Sequence, residues 1–307
     1  MHRILLADAL DQEAEQQLEA AGQVVRPPVA DETTLCELVA NCDALIARTY
    51  TPVTRAVLSA GRRLRVVGVA GVGVDRVDLE AAAELGIPVV NTPAAATDAV
   101  ADLTLALMLN LLRPVSRLVN GYRDGRFKQV RSAPHGVELC ECAVGIVGMG
   151  RIGTQVGRRC AAFGARVLFN DIVPVGPFDF DAVSEDKATI WEQADIVTLH
   201  VPLTDETRGL VDAEVLARVK PGALLINTAR GAVVETDALT AALSAGRLAG
   251  AALDVTDPEP LPIDHPLLSS DRCIVTPHIA ARTHGGMRRM CTVVDEVLAI
   301  LATSREE

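Results

Sequence analysis

Arg230 in "LLINTARGAVVE", Asp254 and Glu259 in "AALDVTDPEP", and His278 in "CIVTPHIAART" each follow a short apolar run within a few residues. These side-chain types form a chemical set. An arginine offers a permanently charged, planar fork that grips a carboxylate with two parallel hydrogen bonds. A histidine is the side chain whose unperturbed charge changes near neutral pH, so it can give or take a proton during turnover. A glutamate hydrogen-bonded to that ring would favour its imidazolium form. Taken singly, each is also what a structural histidine or a surface charge looks like, and Asp254 is also what a strand-end cap looks like. Together they describe a place that holds an anion and moves a proton.

A second constellation lies upstream. In "AVGIVGMGRIGTQVGRRCAAFGARVLFND", Gly148, Gly150 and Gly153 stand in a G-x-G-x-x-G pattern. A strand pattern precedes it, a helix pattern follows, and Asp171 ends the next strand 18 residues past Gly153. Gly148 permits the tight turn, Gly150 lets backbone approach a pyrophosphate, and Gly153 allows close helix–strand packing. The helix that opens there offers unbonded N–H groups and the positive end of its dipole to phosphate. Asp171 is suited to accept from both ribose hydroxyls and to repel a 2′-phosphate. No Arg or Lys follows in "DIVPVG" to neutralise one, so the expected cofactor is NAD (NADH) and not NADP.

Elements that alternate between strand and helix patterns must position these groups. "RILLAD", "QVVRP", "DALIAR", "LRVVGVA" and "IPVVN" read as strands separated by Ala/Glu/Leu-rich helices. After them an apolar helix is expected over about residues 98–120, then a polar connecting stretch, "GYRDGRFKQVRSAPHG". A second set of strands follows, from "AVGIVG" to "CIVTPH", and the chain closes on one amphipathic helix over its last 20 or so residues. Such alternation implies parallel sheets covered by helices. The expected fold class is α/β, with two Rossmann-like doubly wound parallel-sheet domains and a cleft between them.

The bulk composition narrows the function classes. With 307 residues and 49% hydrophobic content, the chain has enough material for two cores. A net charge of −11 argues against nucleic acid as a partner. No run approaches the roughly 20 apolar residues of a spanning helix, and Asp8 and Asp11 interrupt the N-terminus where a signal peptide is apolar. A cytoplasmic protein with no membrane association is expected. The seven cysteines are odd in number and scattered, as reduced thiols are. Cys140 and Cys142 alone make a weak metal motif, and no metal is expected.

The stretches "AGVGVDRVDLEAA", "VADLTLALML", "GIVGMGRIG", "LHVPLTDETRGLV", "INTARGAVV", "AALDVTDPEPLP" and "TPHIA" fix a resemblance by their joint order and spacing. The sequence resembles the D-isomer-specific 2-hydroxyacid dehydrogenase family over essentially its full length. The resemblance implies NAD-dependent hydride transfer to a 2-oxo acid, with Arg230, Glu259 and His278 as the catalytic set. It places Arg151, Ile152, His200, Pro202, Thr207, Thr104 and Asp254 at the cofactor, Asp254 toward the nicotinamide carboxamide. It also places Val72 and Gly73 at the substrate carboxylate through backbone N–H groups. It implies a continuous NAD-binding domain over 97–282 and a discontinuous substrate-binding domain over 1–96 plus 283–307. Members are commonly homodimers through the cofactor domain. Relatives of another class, the C-terminal-binding corepressors, use the same scaffold and NAD to control assembly, so an NAD-sensing binding module is the alternative. Formate enzymes of the family typically replace the glutamate by glutamine, so Glu259 speaks against that activity, while phosphite stays formally open.

Two departures matter. The first half is similar to the 3-phosphoglycerate dehydrogenase branch, which typically carries a phosphate-binding arginine two residues before its glycines. Here Val69 stands there, and the chain lacks the length for the branch's regulatory domain, so phosphoglycerate is disfavoured. Where the family commonly has small residues after its histidine, this chain has "HIAART", with Arg282 four positions beyond His278. With Arg48 and Tyr50 in "ARTYTPVT", Arg282 is expected to offer a second polar contact to a substrate carrying another anionic group, the alternative being an arginine that faces solvent or pairs with a surface acid.

Overall fold

In the computed structural model, which describes residues 1–133 and 135–303, the chain divides into two compact units. One is Met1–Ala96 with Arg282–Glu307, the other Thr97–Ala281.

The first unit opens with β1 (His2–Leu6), α1 (Gln12–Ala21), β2 (Gly22–Val25), α2 (Glu32–Val39) and β3 (Ala44–Ala47). It continues with α3 (Arg55–Ala60), β4 (Val66–Val69), α4 (Leu79–Glu84) and β5 (Val89–Asn91). Helix starts are written in the sequence: Asp11, Asp31 and Asp78 each accept the N–H three residues on, at 2.9, 2.8 and 2.8 Å. Such caps contribute about 1 kcal/mol apiece. The strands form a parallel sheet of order β2-β1-β3-β4-β5. Apolar clusters cover both faces, as fully buried strands such as Ala44–Ala47 and Val66–Val69 require.

The second unit starts on α5 (Thr97–Leu112), α6 (Val115–Arg123) and α7 (Phe127–Arg131). The single helix expected over 98–120 is therefore broken. Pro114 has no N–H to donate and its ring clashes with the preceding turn, and the two helices meet at a bend of 56°. The stretch expected as a connector carries the end of α6 and all of α7. Then come β6 (Ala143–Val147), α8 (Arg151–Ala162), β7 (Arg166–Asn170), β8 (Val183–Ser184), α9 (Lys187–Gln193) and β9 (Ile196–Leu199). The unit ends with α10 (Ala213–Arg218), β10 (Leu224–Asn227), α11 (Thr236–Ser244), β11 (Gly250–Leu253), α12 (Pro266–Ser269) and β12 (Cys273–Val275). Its sheet is parallel throughout, of order β12-β11-β10-β9-β6-β7-β8, with apolar clusters on both faces. Both sheets are doubly wound, and the direction of winding reverses beside β1 in the first and beside β6 in the second. Ligands of such sheets bind outside the carboxyl ends of the strands at that reversal.

The chain then returns to the first unit with α13 (His284–Cys291) and α14 (Val293–Ala302), so the terminal helix is two. Helix α14 lies on the first sheet over Gly68, where a Cβ would come within 2.6 Å of Val297. No single helix among the described residues is long and apolar enough to cross a membrane.

Candidate active site

The glycine loop joins β6 to α8 at the reversal of the larger sheet. Gly148 has φ +93°, and a Cβ on it would lie 2.5 Å from the carbonyl oxygen of His200. A Cβ on Gly153 would lie 2.1 Å from the carbonyl oxygen of Gly148, so the helix sits directly on the turn. Gly150 differs: a Cβ there meets nothing within 4 Å. It caps α8 without a side chain, whereas α1, α2, α4, α9 and α10 are each capped by an aspartate. The N–H groups of Gly150, Arg151, Ile152 and Gly153 find no acceptor among the described residues. Unspent donors, open space above Gly150 and the dipole of α8 fit a pyrophosphate.

Asp171 stands one residue beyond β7. Its Oδ2 accepts the N–H of Met149 at 2.7 Å and its Oδ1 that of Val173 at 3.2 Å. Each oxygen keeps a second lone pair for a ribose hydroxyl. The carboxylate thus also braces the glycine loop, which sequence reasoning did not foresee. Nor did it single out Ile172, 95% exposed beside that carboxylate. The apolar character of "IVPV" where a polar loop is expected was the available signal.

The set of Arg230, Asp254, Glu259 and His278 is built by strand register. Asn227, Leu253 and Val275, the last residues of β10, β11 and β12, stand side by side. Arg230, Asp254 and His278 follow them closely along one sheet edge. Buried Asn227 bridges the turn after β10, accepting from the N–H of Ala229 at 3.0 Å and donating to the carbonyl of Arg230 at 2.9 Å. A Cβ on Gly231 would fall 2.0 Å from the carbonyl oxygen of Thr256, so this turn abuts the one leading to Glu259. Nδ1 of His278 lies 2.7 Å from Oε1 of Glu259, with the side chains 47% and 43% exposed. Donation from Nδ1–H to the carboxylate leaves Nε2 as the working nitrogen.

His278 has φ +52°, the one positive value on a non-glycine residue among those described. Asp254, expected toward a carboxamide, anchors this turn through its carboxylate, and Oδ2 keeps a second lone pair beyond it. Oδ1 accepts from Thr276 Oγ1 at 2.6 Å and Ile279 N–H at 2.9 Å, Oδ2 from Ala280 N–H at 2.8 Å.

The remaining cofactor expectations divide. Thr104 is fully buried, its hydroxyl donating to Val100 O at 2.8 Å and lying 2.9 Å from the Thr228 hydroxyl. It ties α5 to the end of β10 and presents nothing outward, because its position on α5 faces the core. Pro202 is exposed, and its carbonyl accepts the Thr207 hydroxyl at 2.6 Å, closing that loop on itself. Arg151 is exposed at the start of α8, while Ile152 is half-buried against the core. His200 has Nε2 2.9 Å from Thr198 Oγ1, and its enclosed Nδ1 has no partner among the described residues. Burial pushes its pKa down to about 3, so the ring is neutral.

In the first unit, the N–H groups of Val72 and Gly73 have no acceptor among the described residues. Tyr50 is 58% exposed and Arg282 is exposed. Arg48 departs from expectation. It is only 7% exposed, and its guanidinium turns inward to the carbonyl of Ala9, at 3.0 Å, and to the sulfurs of Met287 and Cys291 on α13, each 4.0 Å away. Among the described residues no group of three His, Cys, Asp or Glu side chains is placed to hold a metal ion.

Comparison with known proteins bears on the family of the chain. The model of the D-isomer specific 2-hydroxyacid dehydrogenase, NAD binding domain, matches residues 105–280. A D-3-phosphoglycerate dehydrogenase of Methanocaldococcus jannaschii is 38% identical over 299 residues, covering 96% of this chain but 56% of that protein's length. A hydroxypyruvate reductase of Thermotoga maritima is 35% identical over 294 residues, covering 94% of each. An NADPH-dependent glyoxylate/hydroxypyruvate reductase from Sinorhizobium meliloti, solved with NADP and malonate, superposes with a TM-score of 0.89. It is 32% identical and covers 98% of this chain and 94% of its own.

Proposed function

The chain belongs to the D-isomer-specific 2-hydroxyacid dehydrogenase family, and from that premise we propose that it is an NAD-dependent reductase of small 2-oxo acids with His278 as general acid. The observation that carries this reading is the 2.7 Å His278–Glu259 pair, set on a clamped turn with Nε2 uncommitted among the described residues. When bound, NADH supplies the hydride. Arg230 grips the substrate carboxylate and polarises the neighbouring carbonyl, and the first unit offers the carboxylate the N–H groups of Val72 and Gly73. His278 Nε2 gives its proton to the carbonyl oxygen as the alcohol forms. Glu259 stabilises the imidazolium before that transfer and holds the ring's orientation after it.

Gly148, Gly150, Arg151, Ile152 and Gly153 would hold the pyrophosphate and Asp171 the adenosine ribose, with Ile172 lying against the base. His200, Pro202 and Thr207 line the neighbouring strand end. The preference for NAD over NADP rests on Asp171 and on the absence of a nearby cation in "DIVPVG". We also propose a homodimer: α6 and α7 expose Val115, Val119, Tyr122 and Phe127, an apolar face suited to a second copy.

The test is NADH and NADPH oxidation by the purified protein over a panel of 2-oxo acids, with His278→Ala as the control. Turnover that depends on His278 and prefers NADH supports the reading. Tight NADH binding without turnover of any acid would replace it with the NAD-sensing binding module.

A further inference from the structure

Arg48 is a buried cation that makes no ion pair among the described residues. Its guanidinium donates to the carbonyl of Ala9 at 3.0 Å and lies 4.0 Å from Met287 Sδ and from Cys291 Sγ. Asp8, the acid of the same loop, is spent on the N–H of Arg48, at 3.1 Å, and on the Thr51 hydroxyl. A charge buried in this way is costly unless an opposite charge compensates it.

The loop above Arg48 is seated beside another source of unspent donors. Thr49 packs so closely on Gly71 that a Cβ there would come within 2.3 Å of the threonine methyl. That contact sets residues 48–51 against the turn that follows β4. In that turn Val72, Gly73 and Val74 present three consecutive N–H groups with no acceptor among the described residues. Asp75, next in the chain, is engaged in an interaction of its own. Tyr50 stands exposed on the loop, within the fields of Asp8, Arg48 and Arg282. Desolvation and the negative charge of Asp8 push its phenol up, so it stays a hydrogen-bond donor through the neutral range. Arg282, on this unit's side of the chain crossing, is exposed, and no carboxylate among the described residues claims it. The acids of the whole chain outnumber its Lys and Arg by 40 to 29, so a surface that gathers positive character is the exception here.

We infer that this face reads a second anionic group on the substrate, with Arg282 and Tyr50 as its donors and Arg48 as the positive charge beneath them. The inference rests on the 2-oxo acid reading above and narrows it to acids with a charged far end, the first carboxylate falling to the Val72–Val74 amides. The shared chemistry is an oxyanion, either a planar carboxylate or a tetrahedral sulfonate or phosphate.

The experiment compares kcat/KM for doubly charged acids with that for singly charged ones. The doubly charged arm is oxaloacetate, sulfopyruvate and phosphohydroxypyruvate, and the singly charged arm is glyoxylate and pyruvate. The protein should prefer at least one of the first arm, and which one separates planar from tetrahedral recognition. Arg282→Gln should lower the doubly-to-singly charged ratio about 10- to 100-fold, the usual consequence of losing a charge-assisted bond. The loss should fall on the KM of the doubly charged acids, with Arg282→Lys recovering part of it and Tyr50→Phe costing severalfold. A ratio that Arg282→Gln leaves unmoved overturns the inference while the reductase reading stands. If no acid is turned over, calorimetric titration of malonate against acetate decides separately. Malonate binding that Arg282→Gln abolishes supports the anion-reading face, and equal binding of the two probes overturns it.

Discussion

The backbone carbonyl of Asp254 accepts the N–H of His278 at 2.9 Å, and the Asp254 carboxylate takes the N–H groups of the two residues that follow. The left-handed conformation at His278 is therefore held from one buried acid, 1% exposed, at the end of the neighbouring strand. Asp254→Asn puts an NH2 against an N–H donor. We expect a stability loss of about 2–5 kcal/mol in urea unfolding and a fall in kcat of about tenfold or more from a displaced imidazole. Full kcat in a destabilised variant would mean the turn holds without its clamp.

Glu259→Gln keeps a hydrogen-bond acceptor beside Nδ1 but removes the charge that balances imidazolium. Steady-state kinetics should show kcat/KM down about 10²–10⁴-fold, with NADH affinity by fluorescence titration unchanged. A loss under tenfold would reduce Glu259 to an orienting role.

Gly148 and Gly150 should separate folding from binding. Gly148→Ala forces a methyl against the His200 carbonyl at positive φ and should lower the melting temperature sharply. Gly150→Ala meets nothing in the protein at its own φ of −70°. It should melt as the parent does, yet bind NADH at least about tenfold more weakly, since the methyl fills space a phosphate needs. Unchanged NADH affinity would place the pyrophosphate elsewhere.

His200 predicts a pH dependence of stability. Its folded pKa, about 3, lies below the ordinary value near 6.5. As pH falls below about 6.5 the unfolded chain takes up a proton that the folded chain refuses. Stability is thus full above that pH and is lost toward pH 3, by up to about 1.4 kcal/mol per unit. Urea unfolding at several pH values should show His200→Asn losing less stability per unit than the parent. Parallel slopes would mean the ring is solvated.

Much of this was legible because it is written in short-range chemistry. The glycine spacing, the aspartate caps and the strand ends that carry Arg230, Asp254 and His278 all follow from local pattern. What was hidden depends on partners distant in sequence. Arg48 reads as an outward contact for substrate, and its burial shows only once α13, some 240 residues on, comes against its guanidinium. Thr104 looks equally suited to a ligand or to the core, and only Thr228 across the unit decides. Asp254 offers one carboxylate to several possible donors, and the fold of the His278 turn selects among them. The break at Pro114 was legible in principle, but the apolar run from Val100 to Leu112 outweighed it.

The backbone contact between Gly231 and Thr256 has a bearing on redesign. With no room for even a methyl there, the loops carrying Arg230 and Glu259 are locked as one casting. Random libraries aimed at new substrates should therefore leave positions 230–231 and 256–259 alone. Diversity belongs at 50 and 282, where side chains meet solvent and a change in length or charge can be absorbed without retooling the catalytic frame.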